Sequence, residues 1–118
     1  MVSRDNTNFI HGWVSARTCY VAEDRGEVLG YSVLEHNFFR KAFITKLFVR
    51  SKNRRQGVAG QMLSHLESLA QTDRIFTSTN QSNKPAEALF KKFGYESSGE
   101  IHHLDDGDPE IIFCKRLG

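Results

Sequence analysis

Cysteine is scarce in this chain. Cys19 and Cys114 are its only two, they stand far apart, and each lies in an apolar, strand-like run. Buried reduced thiols are therefore expected rather than a disulfide or a metal-binding pair, and no metal is implied. Long apolar runs are also missing. No stretch approaches the ~18 consecutive apolar residues of a membrane span, which excludes a membrane helix. Met1 to Asn8 lack the basic start and apolar run of a secretory signal, so the expected address is the cytoplasm. Nor is there an excess of one charge: a net +2 is too small to argue for nucleic acid by itself. Internal repeats, linkers and low-complexity segments are absent as well. What remains is ordinary globular composition, 39% hydrophobic and 25% charged, in 118 residues. That length encloses one core, so residues 1–118 read as a single domain with one site.

Phe9, Ile10, Trp13 and Val14 recur at helical spacing and predict a short amphipathic helix. Arg17 to Glu23 reads as a strand, and Asp24, Arg25 and Gly26 turn it into a second apolar run, Val28 to Leu34. A polar and aromatic connection, His36 to Lys41, leads to a third run, Ala42 to Val49, dense enough in apolar residues for an interior strand. After a basic loop, Val58, Ala59, Met62, Leu63, Leu66, Leu69 and Ala70 follow one helical stripe, and a strand at Arg74 to Thr79 comes next. Strand, helix and strand in that order predict a right-handed crossover between parallel neighbours. Asn83, Pro85 and Gly94 bracket a second helix whose Ala86, Leu89, Phe90 and Phe93 share a face. Tyr95 to His102 and Glu110 to Arg116 close the chain as an antiparallel pair around the turn Asp105 to Pro109.

Arg50, Lys52, Arg54 and Arg55 fall within six positions, a run that alone would be a solvated face. Here Arg54, Arg55, Gln56, Gly57, Val58, Ala59 and Gly60 follow, with small residues placed where the loop becomes a helix. Free N–H groups at a helix start, the helix dipole and neighbouring guanidinium groups all favour phosphate oxygens, and glycine lets them approach the backbone. The loop is neither G-x-x-x-x-G-K-[ST] nor G-x-G-x-x-G, so nucleotide hydrolysis and dinucleotide binding fall away.

A loop of the form R-x-x-G-x-A between a long apolar strand and a long helix resembles the acyl-CoA-binding motif of the GNAT superfamily of N-acetyltransferases. Asn83-x-x-Ala86-x-x-Leu89-Phe90 with Gly94-Tyr95 is similar to the family's second pattern, and the resemblance extends over roughly residues 17 to 117. It implies an α/β (α+β) fold, a mixed and mostly antiparallel central sheet with one parallel β-α-β crossover and flanking helices. It also implies acetyl-CoA as acyl donor and no metal. Backbone groups of Leu47, Phe48 and Val49 would pair with the pantetheine arm, Arg54 to Gly60 would hold the pyrophosphate, and Asn83 would lie along the pantetheine or simply cap its helix.

Phe90 stands where many family members carry a tyrosine that protonates the departing thiolate. Phenylalanine cannot donate, so a water or Tyr95 would substitute, or the low-pKa thiolate would leave unaided. As general base the sequence offers Glu110, His36 and Glu35, each equally readable as a surface group. Asp105, Asp106, Asp108 and Glu110 signal a turn and could attract a cationic amine. The reading is an N-acetyltransferase acting on a primary amine of a small molecule or peptide, the alternative a non-catalytic acyl-CoA-binding module. Nucleic-acid binding by Arg50 to Arg55 ranks last. Since few residues precede Arg17, the Arg17 to Glu23 strand is expected to be an open edge, which suggests that a second subunit covers it in a homodimer.

Overall fold

The computed structural model describes residues 12–16, 18–54 and 57–118. Seven strands and two helices follow one another as β1 (Gly12–Ala16), β2 (Cys19–Asp24), β3 (Glu27–Phe38), β4 (Lys41–Val49), α1 (Val58–Leu69), β5 (Arg74–Asn80), α2 (Lys84–Lys92), β6 (Glu96–Ile101) and β7 (Glu110–Arg116). The expected strand-helix-strand succession is therefore present as β4, α1 and β5. The chain divides into two units, Met1–Glu35 with Ile44–Ala70, and His36–Phe43 with Gln71–Gly118.

In the first unit the strand order is β1-β2-β3-β4. Trp13 and Val14 belong to a strand, not to the helix their spacing predicted: they pair with Ala22 and Val21 of β2. Both are good strand formers, and the β2 ladder gives their backbone groups partners that a one-turn helix could not supply. Phe9 and Ile10, the rest of that predicted helix, and Arg17 lie outside the described residues. The pairing also corrects a second expectation. β2 is covered by β1, so the open edge that suggested a second subunit is not there.

The β2–β3 register slips between Ala22 and Glu23, which face Gly30 and Val28 and leave Leu29 as an extra, buried residue. Next to it, any side chain at Gly30 would collide with the carbonyl oxygen of Phe48, so glycine is what lets β3 and β4 close up here. Ala22, Leu29, Val49, Val58 and Met62 form the core of this unit, with Leu47 and Ala59 packed against it. The helical stripe is largely as read: Val58, Met62, Leu63 and Leu66 of α1 are buried.

His65, on the same helix, lies edge-on to Tyr20 with ring centroids 6.2 Å apart. Burial lowers its pKa below the ordinary value of 6.5. The folded protein thus binds this proton less readily than the unfolded chain, and stability should fall as pH drops below about 6.5 until it passes the lowered folded value. Thermal melts of the wild type and of His65→Gln between pH 8 and pH 5 check this: part of the acid-side loss should vanish in the variant.

In the second unit the order is β5-β7-β6. Arg74 through Asn80 pair antiparallel with Arg116 through Glu110 without a break. β6 pairs with the other side of β7, with a slip between Ser97 and Glu100 where Gly99 takes φ +120°. The sequence left His36 to Lys41 as a connection, whereas β3 runs on to Phe38 and β4 starts at Lys41, so only Phe39 and Arg40 make the turn. Aromatic packing holds the strands together to the tip: the Phe38 ring lies 4.8 Å from Phe43 and 5.1 Å from Phe76. Three contacts fasten this hairpin to the segment before β5: Lys41 Nζ to Asp73 Oδ1 at 2.9 Å, Ala42 N–H to Thr72 Oγ1 at 3.1 Å, and Gln71 N–H to His36 Nε2 at 3.1 Å. Cys19 and Cys114 are both free and half-buried, a little more exposed than expected, and burial pushes the Cys114 thiol up.

Phe39 and Arg40 both sit at positive φ, +50° and +67°, the backbone of a tight hairpin turn made without the usual Asn-Gly, and Phe39 is 86% exposed. A side chain in the left-handed region costs roughly 1–2 kcal/mol. Arg40→Gly should therefore raise stability by about 1 kcal/mol, a shift of about 4 °C in Tm for a domain of this size, readable by calorimetry.

Candidate functional site

The coenzyme loop assigned from sequence starts where β4 ends. Arg50 N–H donates to Leu29 O at 2.9 Å and Arg50 Nη1 to Val28 O at 3.0 Å, so the bulge in β3 fixes the first residue after β4. A single 3-10 turn over Ser51–Asn53 follows, closed by Asn53 N–H on Arg50 O at 2.8 Å. Lys52 pairs with Glu27 at 2.7 Å, and this bond holds the Glu27 carboxyl below its usual range. Arg54 Nε donates to Val49 O at 3.0 Å while its guanidinium carbon stands 5.9 Å from the centre of the Phe48 ring. Backbone and ring together orient that charge, although the residue is exposed. Arg55 and Gln56 lie outside the described residues.

The two helix starts differ in a way that matters for chemistry. α1 begins at Gly57, φ +84°, with no side-chain cap and no acidic residue in its first turn. Gln61 N–H reaching Gly57 O at 3.1 Å is the first turn's closing bond, which leaves the earlier N–H groups of the helix without an intrahelical partner. α2, by contrast, is capped: Asn83 Oδ1 accepts Ala86 N–H at 3.2 Å, and Glu87 supplies negative charge to the first turn. Among the described residues α1 alone of the two helices starts without a side-chain cap, and uncapped helix-start donors near a guanidinium such as that of Arg54 suit a diphosphate. The cap engages only the oxygen of Asn83, so its amide NH2 is left to donate elsewhere.

α2 ends as its punctuation predicted. Tyr95 N–H reaches Phe90 O at 2.9 Å and Gly94 N–H reaches Lys91 O at 3.1 Å, with Gly94 at φ +93°, a Schellman ending. Phe90 and Tyr95 are buried at 4% and 3% exposure, their rings 5.9 Å apart, and Phe90 lies 5.4 Å from Phe113. Tyr95 thus sits in the core, with Lys115 Nζ 5.8 Å from its ring centre.

The structure separates the candidate bases. His36 is exposed and its Nε2 already accepts the Gln71 N–H ahead of β5, whereas Glu110 faces Asn80 at the far end of that strand, about 20 Å of extended chain away. They do not share a site. Glu35, in the other unit, accepts the Thr45 hydroxyl at 2.7 Å. Glu110 is half-buried, and its Oε2 accepts Ser78 Oγ at 2.6 Å. Sequence reasoning passed over Ser78, which has no distinguishing signal in a strand half that is polar throughout from Thr77 to Asn80. The acidic turn is mostly occupied with its own geometry. Asp108 accepts Ser82 N–H at 3.0 Å and Ser82 Oγ at 2.6 Å, and Asn80 Nδ2 donates to Asp105 Oδ2 at 2.9 Å and to Asp108 O at 3.2 Å. Asp106 stays exposed. Among the described residues no group of three or more His, Cys, Asp or Glu could hold a metal ion.

An uncapped helix start that follows the loop after β4 is an arrangement suited to phosphate oxygens, in an α/β chain. Comparison with known proteins names the family: the acetyltransferase (GNAT) family model matches residues 3–95, and the chain belongs to that family. A GNAT family acetyltransferase from Bacillus cereus ATCC 10987 is 35% identical, with 84% of this chain and 70% of that chain covered and a TM-score of 0.79. An acetyltransferase of Bacillus anthracis str. Ames, solved in complex with acetyl coenzyme A, is 21% identical over 83% of this chain and 61% of its own, TM-score 0.77. The ribosomal-protein-S18-alanine N-acetyltransferase of Escherichia coli is 17% identical over 88% of this chain and 72% of its own, TM-score 0.72. These likenesses establish the fold class that the motifs implied, an α/β domain on a mixed sheet. The chain spans less than two thirds of the Bacillus anthracis enzyme's length. No individually curated protein matches the sequence.

Losing the α2 cap should cost about 1 kcal/mol. Asn83→Ala is expected to show that loss in chemical denaturation, while Asn83→Asp, which keeps the accepting oxygen, retains most of the stability.

Proposed function

We propose that this chain, as one domain, transfers an acetyl group from acetyl-CoA to a primary amine of a small molecule or peptide. The observation that carries the reading is the contrast between the helix starts: α2 is satisfied by Asn83 and Glu87, whereas α1 has neither cap nor acid and stands next to Arg54. In this reading Arg54, Arg55, Gln56 and the backbone of Gly57, Val58, Ala59 and Gly60 hold the pyrophosphate. Leu47, Phe48 and Val49 pair through their backbone with the pantetheine, and the Asn83 amide and Phe90 line it. Relatives solved with acetyl coenzyme A bound, and one whose acceptor is a protein alanine, support the donor and the amine class. Two free thiols suit a reducing compartment, in keeping with a cytoplasmic address. Among the described residues no helix is long and apolar enough to cross a membrane, which leaves strand-built spans unaddressed.

For the chemistry, Glu110 is the base we favour among the candidates, because its side chain is half-buried and held while His36 Nε2 is already engaged. Phe90 has no proton to give, so the thiolate leaves to solvent. The same residue is what favours the second reading, a non-catalytic acyl-CoA-binding module: a buried phenyl ring can line a coenzyme but cannot take part in proton transfer.

Calorimetric titration with acetyl-CoA should give saturable heat, and Arg54→Ala should weaken the affinity about tenfold, the worth of one charge-assisted hydrogen bond. Absence of any heat at millimolar coenzyme would discard the reading. Thiol release on adding amines separates transferase from binding module.

A further inference from the structure

We infer that Ser78 is a positioning residue for acetyl transfer, acting by clamping the Glu110 carboxylate in one orientation; this rests on the transferase reading above. β5 and β7 are antiparallel, with Asn80 opposite Glu110 and Ser78 opposite Ile112. The two-residue offset puts the Ser78 and Glu110 side chains on one face as diagonal neighbours, which long side chains can bridge. The bridge is made: Ser78 Oγ donates to Glu110 Oε2 at 2.6 Å in a half-buried setting, a short bond of the charge-assisted kind.

Glu110 has no other donor among the described residues. The Asn80 amide directly opposite it is turned away to Asp105 and to the Asp108 carbonyl. Its backbone is held as firmly, since it opens β7 immediately after Pro109, whose carbonyl accepts Gln81 N–H at 2.9 Å. A glutamate side chain has three rotatable bonds, and left alone it would spend much of its time out of reach of an incoming amine. With Oε2 tied to the serine, Oε1 keeps its lone pairs for a proton. In the transfer step the amine nitrogen bonds to the acetyl carbon and one amine proton passes to Oε1. The carbon–sulfur bond breaks with its electron pair leaving on sulfur as the thiolate. A hydroxyl placed to orient an acceptor-only carboxylate is the support that general-base catalysis requires of its surroundings.

The test compares wild type, Ser78→Ala, Ser78→Thr, Glu110→Gln and the Ser78→Ala/Glu110→Gln double variant. Thiol release from acetyl-CoA is followed with a panel of a tripeptide bearing a free α-amine, spermidine and kanamycin, and acetyl-CoA affinity is read by calorimetry. We expect Ser78→Ala to lower kcat about tenfold with the KM for acetyl-CoA, the binding heat and Tm unchanged, and Ser78→Thr to restore the rate. The double variant should be no slower than Glu110→Gln alone, because the serine works only through the carboxylate. An unchanged kcat in Ser78→Ala, no rescue by threonine, or a further slowing of Glu110→Gln each overturns the inference while leaving the transferase reading intact. Acetyl-CoA binding without turnover of any amine overturns both in favour of the binding module, and loss of binding itself defeats the coenzyme assignment.

Discussion

The close passage of β3 and β4 at Gly30 is the constraint from which the rest of the first unit follows. A methyl group there would meet the Phe48 carbonyl, so the residue is fixed by backbone contact and not by any property of glycine in a turn. Because the strands close up at this point, the bulged Leu29 can offer its carbonyl to Arg50, and Arg50 can reach Val28. Arg54 then folds back on Val49 and Phe48. The course of the chain from the end of β4 to Arg54 is thus held both by main-chain bonds and by arginine side chains that return to strand carbonyls.

The second half solves a different problem. α2 must begin and end abruptly, and it does so with a capping asparagine at one end and a glycine-terminated Schellman ending at the other, whose hydrophobic contact is the Phe90–Tyr95 pair. That pair explains why an aromatic residue without a hydroxyl is comfortable at position 90: the ring is part of the helix ending and of the packing on Phe113, so its place in the core is independent of any proton it could carry.

Both helices could be read from the sequence because their stripes are long and their ends carry strong chemical punctuation. Trp13 and Val14 were misassigned since two adjacent apolar pairs are too few to fix a period, and only the partner strand decides. The Phe39–Arg40 turn was read as a loop because neither residue advertises positive φ. Ser78 and Glu110 lie 32 positions apart, and their bond depends on a register that pattern reasoning does not supply. The same holds for the open edge attributed to β2, which turned on how the preceding residues fold.

The loop between β6 and β7 is anchored at Asp108, both of whose oxygens are committed to Ser82, the residue just ahead of the α2 cap. Sequence drift in this segment is therefore unevenly permitted: the exposed Asp106 can vary in chemistry, Gly107 at φ +74° favours glycine, and Asp108 and Ser82 must change together or not at all. Transplanting this loop from a relative would succeed only if the donor segment carried its own equivalent anchor, since otherwise the graft would loosen the start of the neighbouring helix.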